Sequence, residues 1–157
     1  MVRVLKIIQE NDPVLRKKAE IVKDPKDPEI QKLIEDMVAT MKSAKGLGLA
    51  APQVSVSLRV FTIDMEGDIS VFVNPEIKDF SKESIPFEEG CLSVQKTWGS
   101  VIRPKKLTIK AFDENGKPVK IRAKGLLARI VQHEMDHLNG ILFIDKAEKL
   151  YKIETQK

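Results

Sequence analysis

Apolar positions along this chain fall into two rhythms, and each marks a different kind of element. After Asp27 and Pro28, the residues Ile30, Leu33, Ile34, Met37, Val38 and Met41 recur every three to four positions, the stripe of a helix with one apolar side. Asp27 can accept from free amides of the first turn, Pro28 suits the first helical position, and Glu29 complements the positive helix end. Gly46 is placed to stop the helix. Downstream, RVFTID, ISVFVN and the run from LTIKAF to KPVKIRA are short and β-rich, with turn signals at Glu66-Gly67-Asp68 and Asn115-Gly116. Leu107, Ile109 and Ala111 alternate with polar residues, as do Val119, Ile121 and Ala123, which predicts a hairpin with one face buried. From Leu126 to Asn139 the helical period returns, and Gly140 is placed to end it. The order predicts an α+β domain: antiparallel or mixed strands packed around a C-terminal helix that carries HEMDH, with an N-terminal amphipathic helix.

At 157 residues the chain fits one catalytic domain, residues 1–157, with 145–157 as a short tail that has room to move. No apolar run approaches the roughly 20 residues that span a bilayer, so no membrane association is expected. The N-terminal MVRVLKIIQENDPVL has no apolar core followed by a small-residue cleavage site, so the expected location is cytoplasmic. One cysteine, Cys91, excludes an intramolecular disulfide framework and leaves a thiol free for chemistry. A net charge of +4 spread over scattered lysines reads as a solvated surface and points only weakly to an RNA-rich neighbourhood.

The two histidines of the chain, His133 and His137, stand four apart in QHEMDHLNG. On a helix they point the same way and can reach one ion, while Glu134 lies to the side, where it can take a proton from an activated water. The bland alternative is a helix that carries two histidines by chance. Leu126, Leu127, Ile130, Val131, Met135 and Leu138 cover more than half of that helix, so the imidazoles should be buried. Burying them without partners costs roughly 1–3 kcal/mol per group. A third ligand is needed. Continuing the metzincin spacing gives Gly140 at the right place but Phe143 at the ligand position, and only Glu148 and Glu154 follow. Upstream stands Cys91 in EEGCLS, expected at the start of a short strand near the helix. A thiolate with two imidazoles leaves one coordination position open, the pattern of a catalytic site. The alternative for Cys91 is a buried, inert thiol.

Three segments together, GLGLAAPQ from Gly46, EGCLS from Glu89 and QHEMDH from Gln132, resemble the three signature motifs of the peptide deformylases, in that family's order. The resemblance also takes in DPVLRKKA and the strands between the motifs, up to about Asp145. It implies hydrolysis of the N-formyl group from the N-terminal formylmethionine of newly made polypeptides, with release of formate. It implies one divalent metal ion held by Cys91, His133 and His137, natively Fe(II), replaceable by Zn, Ni or Co. Glu134 then matches the general acid and base, and Gln53 and the backbone N–H of Leu92 match the groups that stabilise the developing oxyanion. The implied partners are nascent formyl-methionyl polypeptides with weak ribosome proximity, no sequence-specific nucleic acid and no membrane, in a bacterial cytoplasm or an organelle matrix.

GLGLAA also matches a dinucleotide-binding turn, but that fingerprint needs a strand before the glycines and a helix after them. Here a capped helix precedes and Pro52 follows. The glycines are better suited to let a peptide backbone lie close, with Gly48 pairing main chain to main chain. Leu47, Phe87, Leu126 and Ile130 are candidates for the slot that takes the methionine side chain, or else plain core. Arg129, four residues before His133, is expected to line that slot with its stem and send its guanidinium to solvent. Glu89 and Arg103 are expected to pair beside the metal-binding loop, the alternative being two surface charges. Gln95 stands where many members of the family have proline, and the tail is shorter than in many.

Overall fold

A computed structural model describes residues 1–152. Helix α1 runs from Pro28 to Ser43, and the Asp27 side chain accepts from the Glu29 N–H at 2.8 Å. Strands β1 (Gly48–Ala50), β2 (Val60–Met65), β3 (Asp68–Lys78), β6 (Lys106–Phe112) and β7 (Pro118–Lys124) form an antiparallel sheet in the order β1-β2-β3-β6-β7. A second antiparallel sheet contains β4 (Ser84–Cys91), β5 (Val94–Pro104) and β8 (Leu150–Lys152), with β5 in the middle. Helix α2 (Gly125–Leu138) packs on the five-stranded sheet and touches β5 of the other, and the single turn α3 (Phe143–Lys146) follows it.

The five-stranded sheet has an apolar cluster on each face. Phe61, Ile63, Phe72, Leu107, Ile109 and Ala123 pack with Ala128, Val131 and Leu138 of α2 on one side. Leu49, Val60, Val71 and Val73 pack with Met37 and Met41 of α1 on the other. Alternation along β2 and β3 therefore supplies both helices, which is why Val60 to Ile63 and Val71 to Val73 are buried without interruption. The register Leu107↔Ala123, Ile109↔Ile121, Ala111↔Val119 matches the alternation read from the sequence.

Three expectations need correction. Cys91 ends the eight-residue strand β4 instead of starting a strand, because the tight turn at Leu92 and Ser93 returns the chain into β5, where Val94 pairs with Cys91. Gly46 does not take the left-handed position that ends α1. Lys45 does, at φ +57°, and a Cβ on Gly46 would lie 2.7 Å from Leu92 Cδ1, so the glycine serves close approach. The tail is partly built into the fold: Ala147 packs in a small apolar cluster and Leu150 to Lys152 pair with Thr97 to Gly99. Residues 153–157, the rest of that tail with Glu154, lie outside the described residues.

Candidate active site

Helix α2 presents His133 and His137 on one face, their rings 5.1 Å apart and edge to face. The turn after β4 brings Cys91 against them, with Sγ 3.3 Å from His137 Nε2. One donor atom from each of Cys91, His133 and His137 lies within 4.8 Å of the others. For metal–nitrogen bonds near 2.0–2.1 Å and a metal–sulfur bond near 2.3 Å, a tetrahedral edge is roughly 3.5 Å, so this spacing fits one shared ion. Phe143, which falls where a metzincin would place its third ligand, instead stacks 6.1 Å from the His133 ring.

Glu134 is 4 % exposed, its Oε1 has no hydrogen-bond partner, and burial pushes its carboxyl up to about 7. A buried, unpartnered carboxyl beside three ligand atoms is poised to receive a proton. Its other oxygen lies against β1: a Cβ on Gly48 would stand 2.5 Å from Oε2. Only glycine leaves that space. Gln53 is fixed by its own carbonyl oxygen, which accepts from the Ala50 N–H at 3.0 Å. Its amide nitrogen therefore faces Ser93 Oγ at 3.1 Å and Cys91 Sγ at 3.6 Å.

Behind the ligands lies a buried ionic cluster. Glu89 accepts from Arg103 Nε and Nη2 at 2.6 and 2.9 Å, from Arg129 Nη1 at 2.6 Å and from His133 Nδ1 at 2.9 Å. Burial alone would raise the Glu89 carboxyl, but the bonds from His133 and Arg103 outweigh it and bring it down to about 2. Burial likewise opposes charge on His133, yet its bonds to Cys91 and Glu89 raise it well above the usual imidazole value. His137, buried and facing the charge of His133, is held well below that value. Arg103 reaches on to Asp136 at 2.9 Å, and Lys146 closes the chain at 3.0 Å. With His133 Nδ1 committed to Glu89, its Nε2 is the nitrogen left for a metal.

A cleft of about 330 Å³ opens onto this centre. Its walls are the open edges of the two sheets, Gly46 to Gly48 leading into β1 and Phe87 to Gly90 of β4, with Leu126 and Ile130 from α2 and Leu92 from the turn. Leu47, Phe87 and Leu126 are each about half exposed, at 52 %, 53 % and 48 %, so they are cleft wall and not core.

A family model, that of polypeptide deformylase, matches residues 4–152. The chain belongs to this family. A peptide deformylase of Halothermothrix orenii is 50% identical over 149 residues, covering 94% of this chain and 96% of that one. A peptide deformylase of Legionella pneumophila has a solved structure at 47% identity and TM-score 0.88, covering 94% of this chain and 87% of that one. Another, a class I type b peptide deformylase from Acinetobacter baumannii bound to Met-Ala-Ser, superposes with TM-score 0.89 at 38% identity over 93% of this chain and 99% of that one.

All thirteen deformylase-site candidates thus surround one cleft or stand directly behind it, but Arg129 does not behave as the sequence suggested. Its guanidinium is buried, bonded to Glu89, to the Val101 carbonyl at 2.9 Å and to the Ile85 carbonyl at 2.7 Å, and it stands 5.8 Å above the Phe87 ring. A solvent-facing head would take one donor from Glu89 and from each of those carbonyls, so the planar fork turns inward. Sequence reasoning also missed Asp136, Ser93 and Trp98. Asp136 had a signal, since a carboxylate inside a mostly apolar helix needs a cation. Trp98 had none: it lines the cleft because its ring covers Gly90, where a Cβ would lie 2.9 Å from it.

Proposed function

We propose that this chain removes the N-formyl group from the N-terminal formylmethionine of newly made polypeptides and releases formate. The observation that carries this reading is the convergence of Cys91, His133 and His137 with the unpartnered Glu134 carboxyl at the floor of a cleft bounded by two strand edges. The donor set fits a borderline divalent ion, and Fe(II) is our assignment for the native metal, with Zn, Ni or Co as substitutes. When bound, such an ion supplies Lewis acidity and a water acidified to near neutral pKa.

The residues of the chain supply the rest. The strand edge at Gly48 pairs with the substrate main chain, and Leu47, Phe87, Leu126 and Ile130 receive the methionine side chain. Met-Ala-Ser held by the Acinetobacter baumannii relative supports a peptide in this cleft. Glu134 takes the proton of the attacking water and delivers it to the departing amine. The Gln53 amide and the backbone N–H of Leu92 donate to the oxyanion, each such donor typically worth about 3–4 kcal/mol. Glu89, held by Arg103, orients the His133 ring. Formyl carries only hydrogen where larger acyl groups carry carbon, so crowding by Cys91, Gln53 and Leu92 selects it by size. We assign the whole chain to one catalytic domain acting in the cytoplasm or an organelle matrix, where formylated chains are made.

The test is formate release from a formyl-methionyl tripeptide by protein purified without oxygen and loaded with Fe(II) or Ni(II), beside Glu134→Gln prepared identically. Formate from the wild type and little from a variant of equal metal content is the expected result. A metal-loaded wild type that yields no formate, but hydrolyses other acylated amines, would overturn the substrate assignment.

A further inference from the structure

The five-stranded sheet is covered unevenly. On the face away from α2, helix α1 packs over β1, β2 and the apolar half of β3, through Leu49, Val60, Val71 and Val73. Among the described residues, no helix covers β6 and β7 in this way. Their inward residues Leu107, Ile109, Ala111 and Ala123 are in the α2 cluster, so the alternate positions face outward. Those outward positions are basic. The register sets Lys106 opposite Lys124, Lys110 opposite Lys120, and Arg122 opposite Thr108, which pairs in turn with Lys78 on β3.

All six cations are exposed, and none makes an ion pair among the described residues. Glu76, opposite Lys110, is the one carboxylate in these rows. The crowding is felt: Lys110 is held below the usual lysine value by Lys78 beside it and Lys120 across from it. Like charges placed directly across an antiparallel pair destabilise it. The whole chain has 27 basic and 23 acidic residues, so this small face concentrates an excess that the rest of the molecule does not have.

We propose that the outer face of β3, β6 and β7 is a binding surface for the phosphodiester backbone of RNA, without sequence readout. Alternate residues of a strand stand about 7 Å apart and neighbouring strands about 5 Å apart, so the cations form short parallel rows suited to a line of phosphates. Phe112, 38 % exposed at the end of the β6 row, offers a base a surface to stack on. An acidic membrane is the poorer match, because Phe112 is the one exposed large apolar side chain that β3, β6 and β7 themselves offer for insertion among the described residues. The surface is turned away from α2, so a bound RNA leaves the cleft open. The inference does not rest on the reading of the cleft.

The experiment uses the full chain, metal-loaded, with a fluorescein-labelled mixed-sequence single-stranded RNA of about 20 nucleotides. Anisotropy is followed at 50 and 200 mM salt. About five neutralised phosphates predict roughly a 100-fold loss of affinity over that range. The paired variant Lys106→Glu, Lys120→Glu puts an opposite charge across from Lys124 and from Lys110. It is expected to lose RNA affinity about tenfold or more while its melting temperature and its formate release stay at wild-type level. Equal RNA binding by variant and wild type overturns the proposal, as does a wild type that binds no RNA at 50 mM salt. Binding to phosphatidylglycerol vesicles in place of RNA overturns it in favour of a membrane.

Discussion

Replacing Gly48 by alanine tests the placement of the catalytic carboxyl with one methyl group. An ideal Cβ there would meet Glu134 Oε2 at 2.5 Å, Cδ at 2.9 Å and Cγ at 3.1 Å, whereas ordinary contact begins near 3.4 Å. Either β1 retreats or the carboxyl shifts, by about 1 Å in either case. β1 has little freedom, since Gly48 to Ala50 pair with Ile63 to Phe61 and Leu49 is fully buried. Glu134 is therefore the group that moves. A displacement of about 1 Å typically costs on the order of 100-fold in rate. Overpacking typically costs about 1–3 kcal/mol, which a domain of this size tolerates. The expected result is kcat for formate release down by about 100-fold, with metal content unchanged and a cooperative thermal transition a few degrees lower. Gly46→Ala is the comparison: its Cβ meets the end of the Leu92 side chain, which can swing away, so its kcat should fall far less. A Gly48→Ala enzyme within threefold of wild-type kcat would refute the argument that this contact positions the base.

Arg129→Leu should cost about 2–4 kcal/mol in urea unfolding, because Glu89 and two carbonyls lose a buried donor together; a loss under 0.5 kcal/mol would mean that the guanidinium does not hold β4, and lysine, with a single ammonium, should not restore it. The Arg16 bond at 2.5 Å lowers the Asp145 carboxyl below its ordinary 3.8. Its contribution, under about 1 kcal/mol for so exposed a pair, is present above that value and lost as pH falls through the folded-state value. The stability gap between wild type and Arg16→Ala should accordingly close on acidification from pH 6 to pH 3; a gap that widens would reverse the sign assigned here. Chelation should abolish formate release and Ni(II) should restore it, with the Ni(II) form outlasting the Fe(II) form in air because iron and the thiolate are both oxidisable; equal half-lives would speak against native iron.

Where local signals act within one element, the sequence is easy to read. Asp27 caps α1 as its residue type predicts, the Asn115-Gly116 turn closes the β6–β7 hairpin, and the i, i+4 spacing alone sets both histidines on one side of α2. The β4–β5 hairpin was hidden for a physical reason. Along SIPFEEGC the apolar Phe87 is exposed in the cleft while the charged Glu89 is 6 % exposed, which inverts the alternation that a buried strand should show. Arg129 was misjudged in the same way. A helical wheel gives the direction of its stem, but the inward turn of its head depends on Glu89 and on carbonyls of two strands, all 28 or more residues away in sequence.

The buried ions behind the site pair with one another and not with the ligand atoms, and this separates the fold from the chemistry. Glu89 and Asp136 carry two negative charges, Arg103 and Arg129 two positive ones, and Lys146 at the rim meets the outer side of Asp136. Arg103 makes three bonds to the two carboxylates, and Arg129 makes one to Glu89 and two to backbone carbonyls, so neither charge is left uncompensated in a medium of low dielectric. What the cluster does not neutralise is the ligand set itself. Glu134 Oε1 and His137 Nδ1 stay unpartnered, while His133 spends one nitrogen on Glu89 and turns the other toward Cys91. Tight pairing of Glu89 and Asp136 with the two arginines behind the ligands, beside a Glu134 Oε1 left unpartnered on the cleft wall, places unsatisfied polarity of the interior where an ion, a water and a formyl oxygen can use it.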